Sequence, residues 1–282
     1  MKTAINAWSI DGKVFFEDMF RQVKAAGFDG IELNIDNAGT SAHSLTLDTT
    51  AEELKSIISL SKQFSLPVVS ISTSLYGMHM GSRNLAENEK AGEILKKQLE
   101  CAKALRASGI LVVPGGISED VSIEEAYKIS AKTLESNRSV IEAYEIYVGL
   151  ENVWNQFFMS PYDMRNFIDR LKCPYITAYY DPGNVAAFSW PEYWISILGN
   201  RITHFHIKDF KRNSGWGSGF NCGGDFVELC TGSVPFKKVI YALREIGFDG
   251  YLTAEVDKKD AYQSYEDFYK MTCDTIREII AL

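Results

Sequence analysis

Four segments of the chain each deliver one metal-competent side chain, in the order glutamate, aspartate, histidine, glutamate. YVGLENVWN carries Glu151, TAYYDPGN carries Asp181, THFHIKD carries His206 and YLTAEV carries Glu255. Each of these side chains ends a short run of β-branched, aromatic and aliphatic residues, the pattern of a buried strand. Three carboxylates crowded together repel one another and rise in pKa unless a cation holds them. One imidazole nitrogen beside three carboxylates, with room for water or substrate oxygens, suits a single divalent ion. Mn²⁺ is the leading expectation for that ion, with Mg²⁺, Co²⁺ or Zn²⁺ as alternatives.

The four can meet only if their strands lie side by side with their ends at one height. Strand-like segments fall at 3–8, 30–35, 67–73, 110–113, 146–152, 175–181, 202–207 and 251–256. Helical periodicity falls between and after them, at 14–26, 50–64, 89–107, 122–143, 161–171, 191–198, 235–246 and 262–280. The clearest helix has Ala91, Ile94, Leu95, Leu99, Ala102 and Leu105 at three- and four-residue steps. Eight strand–helix units in 282 residues predict a (β/α)₈ barrel, for which about 250 residues is typical. A doubly wound sheet is the alternative, but no GxGxxG follows the first strand. No low-complexity tract or charge block suggests a linker, so residues 1–282 are expected to form a single barrel domain. In such barrels the chemistry sits at the C-terminal ends of the strands, where the four side chains lie. The repeated GFDG, at Gly27–Gly30 and Gly247–Gly250, reads as a helix stop on a left-handed glycine. It speaks for the fold and not for the chemistry.

A formal charge of −8 argues against nucleic acid as a partner, because phosphate-backbone binding needs a basic surface. No apolar run approaches the length that spans a bilayer, and MKTAINAWSIDGK lacks a signal-peptide core. The five cysteines (Cys101, Cys173, Cys222, Cys230, Cys273) are scattered and never spaced CxxC, which fits reduced thiols. A cytoplasmic protein with no membrane partner is expected. A homo-oligomer is compatible with the sequence, which does not set the assembly.

LENVWN, YYDPGN, FHIKDFKR and the closing LTAEV resemble the sugar-phosphate isomerase/epimerase family of xylose-isomerase-like barrels, which includes ketose 3-epimerases and relatives of ribulose-phosphate 3-epimerase. The resemblance runs over essentially the whole chain and is most specific between Leu150 and Glu255. It implies a small-molecule sugar or sugar phosphate as substrate, one divalent metal on Glu151, Asp181, His206 and Glu255, and the two glutamates as an acid–base pair. It also implies a substrate-contacting role for Arg212, six residues beyond the ligand histidine. The chain departs from the family at Asn184, where some ketose epimerases carry histidine, and in the glycine-rich stretch 213–226.

The chemistry has its own logic. A hydrogen beside a ketone carbonyl is too weakly acidic for an unaided carboxylate, and a metal bridging the carbonyl and adjacent hydroxyl oxygens stabilises the resulting enediolate. Two glutamates on non-neighbouring strands can work from different sides of a sugar, which inverts the carbon. Proton return at the adjacent carbon on one face makes an aldose–ketose isomerase instead, and loss of water makes a lyase of the inosose-dehydratase kind. An endonuclease-IV-like hydrolase would need a histidine-rich zinc cluster, which four histidines (His43, His79, His204, His206) do not supply. A sugar-binding protein without turnover would not need both glutamates. Trp8 and Trp154, near strand ends, are candidates for an apolar wall against a sugar face, and Asn184 for a bond to a sugar hydroxyl. His204, on the same strand face as His206, and Lys208 and Asp209, directly after it, are candidates to support the ligand from behind. Glu32 either reaches the pocket floor or pairs with a barrel lysine. The glycines of 213–224 offer either backbone amides for a phosphate or a mobile lid.

Overall fold

The computed structural model describes residues 1–213, 223–259 and 264–282. Its strands are β1 (Lys2–Asn6), β2 (Gly30–Ile35), β3 (Val68–Thr73), β4 (Gly109–Val112), β5 (Tyr147–Glu151), β6 (Ile176–Tyr180), β7 (Ile202–Ile207), β8 (Asp209–Arg212), β9 (Gly224–Val227) and β10 (Tyr251–Ala254). Eight of them close into a parallel barrel in the order β1-β10-β7-β6-β5-β4-β3-β2, and β8 and β9 form a separate antiparallel hairpin. The barrel strands coincide with the eight expected from the sequence. Helices cover their outer faces, and β2, β3 and β6 are buried along their whole length.

The helices take their limits from local chemistry. The helix Phe16–Ala26 stops on Gly27, whose φ of 100° is left-handed. Gly247 in the second GFDG copy has φ 73° after the helix Phe236–Glu245. Thr50 and Glu53 form a reciprocal capping box ahead of the helix Ala51–Gln63. Outside the barrel, Phe20, Leu99, Leu134, Phe167, Trp194, Leu243 and Ile276 are fully buried in the layer between strands and helices, each contributing about 1.5–3 kcal/mol of burial.

Three features depart from the sequence expectation. The helix expected over 122–143 is two, Ile123–Ser136 and Arg138–Tyr144, divided at Asn137. The Asn137 amide donates back to the Thr133 carbonyl at 2.8 Å, the local competition that makes asparagine a poor mid-helix residue. A short helix, Pro182–Ala186, follows β6 directly, and the β8–β9 hairpin follows β7. The first residues of the helix expected at 262–280 lie outside the described residues, and the rest of it is Tyr265–Ala281.

The barrel interior is polar where it positions the site. Register sets Asn6 opposite Glu32 and Glu32 opposite Ser70, a row across β1, β2 and β3. The pairing slips by one residue between Ile31 and Glu32 against β3, and again between Ala178 and Tyr179 against β7. Slips of this kind re-aim side chains and concentrate near functional sites. Here they fall at Glu32 and Tyr179, which bond to each other.

Candidate metal centre

Glu151 closes β5, Asp181 follows β6, His206 lies near the end of β7 and Glu255 follows β10, on four consecutive barrel strands. One ligand atom from each lies within 4.8 Å of all the others. Ligands at roughly 2.0–2.3 Å from one ion sit up to about 4.5 Å apart, so the set lies a few tenths of an ångström from a coordination sphere. His206 Nδ1 lies 3.2 Å from Glu151 Oε1 and 3.3 Å from Glu255 Oε2. Asp181 Oδ2 is buried and accepts no hydrogen bond, and the Lys208 ammonium stands 3.0 Å from it. Three carboxylates and an imidazole converging in this way fit a divalent cation.

The loop after β6 shows how the sequence builds one ligand. Asp181 caps the short helix, its Oδ1 accepting from the Asn184 backbone N–H at 3.0 Å, and Pro182 takes the first helical position. Asn152 locks the Asp181 backbone from both sides: its amide donates to the Asp181 carbonyl at 2.8 Å and its carbonyl accepts from the Asp181 N–H at 3.0 Å. Gly183 is needed for approach, since a Cβ there would lie 2.4 Å from Lys208 Cγ.

Lys208 is the cation already in the site. Its ammonium bonds to Glu255 and stands 3.0 Å from Asp181 Oδ2, and although burial works to lower its pKa, Asp181, Glu255 and Glu151 hold it above the usual lysine range. The two glutamates consequently differ. Burial pushes the Glu151 carboxyl up to about 7, with His206 and Lys208 offsetting only part of the effect. Burial acts in the same sense on Glu255, but Lys208 and His206 outweigh it and hold that carboxyl below its usual range.

Beneath His206 lies Glu32, fully buried. Its Oε1 is 2.7 Å from His206 Nε2 and accepts from Asn6 Nδ2 at 2.5 Å. Its Oε2 accepts from the hydroxyls of Ser70 and Tyr179, each at 2.5 Å. Burial alone would raise the Glu32 carboxyl, but His206 and the two hydroxyls hold it below its ordinary value. Its partners are His206, Asn6, Ser70 and Tyr179 and not a barrel lysine. Asn152, Tyr179 and Phe226 also belong to the site and were not singled out by sequence. Asn152 stands directly after a ligand and could have been noticed, whereas the other two gave no signal.

The remaining candidates divide. His204 sits one layer deeper, with Nε2 2.9 Å from Ser108 Oγ and Nδ1 3.0 Å from Thr203 Oγ1. Burial pushes its pKa down to about 4, and Tyr179 lies between it and His206, at ring-centroid distances of 5.3 and 4.5 Å. Asp209 turns away from the ligands and accepts from the backbone amides of Phe210, Gly232 and Val234, fastening the hairpin. Arg212 donates to the carbonyls of Ala186 and Ser189 and lies over the Trp190 ring at 5.0 Å. Trp154 donates to the Asn184 carbonyl at 2.9 Å and stacks on Phe226 with centroids 4.9 Å apart. Most of the glycine-rich stretch (214–222) lies outside the described residues.

A cavity of about 260 Å³, lined by Trp8, Lys208, Phe226, Glu255, Asp257 and Lys259 among others, opens onto this cluster. Trp8 is anchored at its rim, its indole N–H 3.2 Å from both Asp36 oxygens. An apolar hollow of about 270 Å³ lies on the Trp154 and Phe210 side. The first is small beside drug-sized pockets of roughly 300–1,000 Å³, and its polar wall suits a small oxygenated molecule.

The model of the family described as "Xylose isomerase-like TIM barrel" matches residues 20–276. Over 226 residues the chain is 25% identical to a putative L-ribulose-5-phosphate 3-epimerase, SgbU, of Escherichia coli K12, covering 79% of this chain and 78% of that one. Among solved structures, a D-tagatose 3-epimerase-like protein superposes with a TM-score of 0.78 at 20% identity, covering 100% of this chain and 98% of the other. The IOLI protein, solved with a binding zinc atom, superposes with a TM-score of 0.77 at 19% identity and the same coverage. At these identities the two structures speak for the fold. Among the described residues, no helix is long and apolar enough to cross a membrane.

Proposed function

This chain belongs to the xylose isomerase-like TIM barrel family, and on that premise we propose that it is a metal-dependent epimerase or isomerase of a ketose or ketose phosphate, working in the cytoplasm as a single barrel domain. The observation that carries the reading is the convergence of Glu151, Asp181, His206 and Glu255 on one point. These four would hold one divalent ion, for which Mn²⁺ is the first choice. When bound, such an ion supplies Lewis-acid stabilisation of the oxygen charge that develops as a hydrogen beside a carbonyl is removed.

The chain's own residues do the rest. Glu151 and Glu255 stand on β5 and after β10, separated by β6 and β7, and flank His206 Nδ1 at nearly equal distances. One takes a proton from a substrate carbon and the other returns one to the opposite face. Their environments differ: Lys208 bonds to Glu255, whereas Glu151 is the more enclosed of the two. Lys208 keeps the Glu255 and Asp181 carboxylates oriented. Trp8 forms an apolar wall at the cavity rim and Asn184 offers a polar group. Arg212 contributes by holding the Ala186–Ser189 backbone beside Asn184, and Trp154 by pinning the same loop.

The test is incubation with Mn²⁺ and a panel of ketoses and ketose phosphates in D₂O, led by pentulose 5-phosphates because of the likeness to the putative ribulose-phosphate epimerase. Deuterium at carbon three with an inverted product is expected. An aldose product assigns the isomerase branch, loss of water assigns the lyase instead, and no deuterium incorporation in any sugar contradicts the proposal.

A further inference from the structure

We infer that Glu32 is a positioning residue of the metal centre: its buried carboxylate fixes the His206 ring so that Nδ1, and not Nε2, is the nitrogen offered to the cation. The inference rests on the metal centre of the proposed function and not on the identity of any sugar.

The geometry leaves the ring little choice. Glu32 is completely enclosed, and its two oxygens meet four polar groups: Asn6 Nδ2 and His206 Nε2 on Oε1, and the Ser70 and Tyr179 hydroxyls on Oε2. An ionised carboxylate only accepts, so each of these groups must donate. Asn6 Nδ2 has hydrogens to give, the hydroxyls can turn theirs, and His206 must present an N–H at Nε2. A neutral imidazole carries one N–H. A histidine that binds a metal is in this form, so with its hydrogen committed to Glu32 the nitrogen left for a cation is Nδ1, the atom that faces Glu151 and Glu255. The donors arrive from β1, β3, β6 and β7, so the carboxylate is braced from several sides of the barrel and cannot swing away when His206 takes up its load. Histidine ligands of metals generally donate their second nitrogen to a carboxylate or carbonyl, which sets the tautomer and raises ligand basicity. Glu32 is the group placed to do so here. A purely structural Glu32 would plug the barrel and stabilise the fold without altering which nitrogen binds.

The distinction can be read without turnover. Protein labelled with ¹⁵N-histidine is loaded with Zn²⁺, which is diamagnetic, and the His206 signals are assigned by their absence in His206→Gln. A directly bonded proton on Nε2 with a metal-shifted Nδ1 is expected, whereas a proton on Nδ1 overturns the inference. Glu32→Gln then removes the charge and leaves an amide that cannot accept from all four donors. Its Zn²⁺ dissociation constant, measured by competition with a chelating dye on protein shown to be folded by circular dichroism, is expected to rise about 10- to 100-fold. In a His206→Gln background the same change is expected to have little further effect. Unchanged affinity in a folded Glu32→Gln contradicts the inference while leaving the metal centre standing. Wild-type protein that binds no Zn²⁺ overturns both. If Glu32→Gln does not fold, the wild-type tautomer alone decides.

Discussion

Glu255→Gln is expected to lower ketose turnover by at least about 10²–10⁴-fold, the range a positioned general base contributes, with the fold intact. The glutamine keeps a ligand oxygen and the length of the side chain but cannot accept a proton. It also loses the charge that Lys208 bonds to. Assays at saturating Mn²⁺ separate the two losses, because weaker metal binding is restored by added metal and a missing base is not. Glu255 sits at the end of β10 on a loop whose next amide, Val256 N–H, donates to Ser9 Oγ at 2.9 Å, so the backbone has its own anchor. Circular dichroism and thermal melting are expected to match wild type. Full activity in this variant would remove Glu255 from the proton-transfer role.

Glu151→Gln is expected to cost a similar factor in net conversion, yet to differ in what it leaves behind. If the two glutamates serve opposite faces of one carbon, removing one blocks inversion without blocking exchange at the face served by the other. In D₂O, each single variant should then wash deuterium into recovered starting sugar from one member of the epimeric pair and not from its partner. The two variants should show opposite preferences. Mass spectrometry of unreacted sugar from both directions reads this directly. Wild-type exchange in both directions by both variants would mean that some other group moves the proton. Glu151 is the more enclosed of the pair, with 7% of its side chain exposed against 21% for Glu255, so its loss is also expected to raise the metal dissociation constant.

The convergence of four side chains was legible because each ends its own strand, and strand ends in a (β/α)₈ barrel share one face. Glu151, Asp181, His206 and Glu255 needed only the strand count and the type of each terminal residue. The partner of Glu32 was not legible. Alternation along β2 says which face the side chain takes, but His206 and Tyr179 come from β7 and β6, across the interior and beyond the reach of any sequence spacing. The pairing slips at Ile31/Glu32 and Ala178/Tyr179 that aim them leave no mark in an apolar run. Arg212 shows the opposite limit. The family resemblance implies a substrate-contacting role for it, and β8 carries its side chain to the Ala186 and Ser189 carbonyls, a destination set by a hairpin that the strand pattern did not reveal. Asp209 follows the same logic, since a carboxylate next to a ligand pair can as well face the amides of Gly232 and Val234. Lys208 lies beside Asp181 and Glu255, where Gly183 leaves room for its side chain.

The most direct measurement is a titration of chelator-stripped protein with Mn²⁺, following bound metal by electron paramagnetic resonance and ketose conversion in the same samples. One equivalent of tightly bound Mn²⁺ is expected, with conversion rising in step and levelling off at the same point, and with both signals weakened in Asp181→Asn. Stripped protein that converts the sugar at the full rate, or metal that binds elsewhere and leaves Asp181→Asn unaffected, would contradict the account.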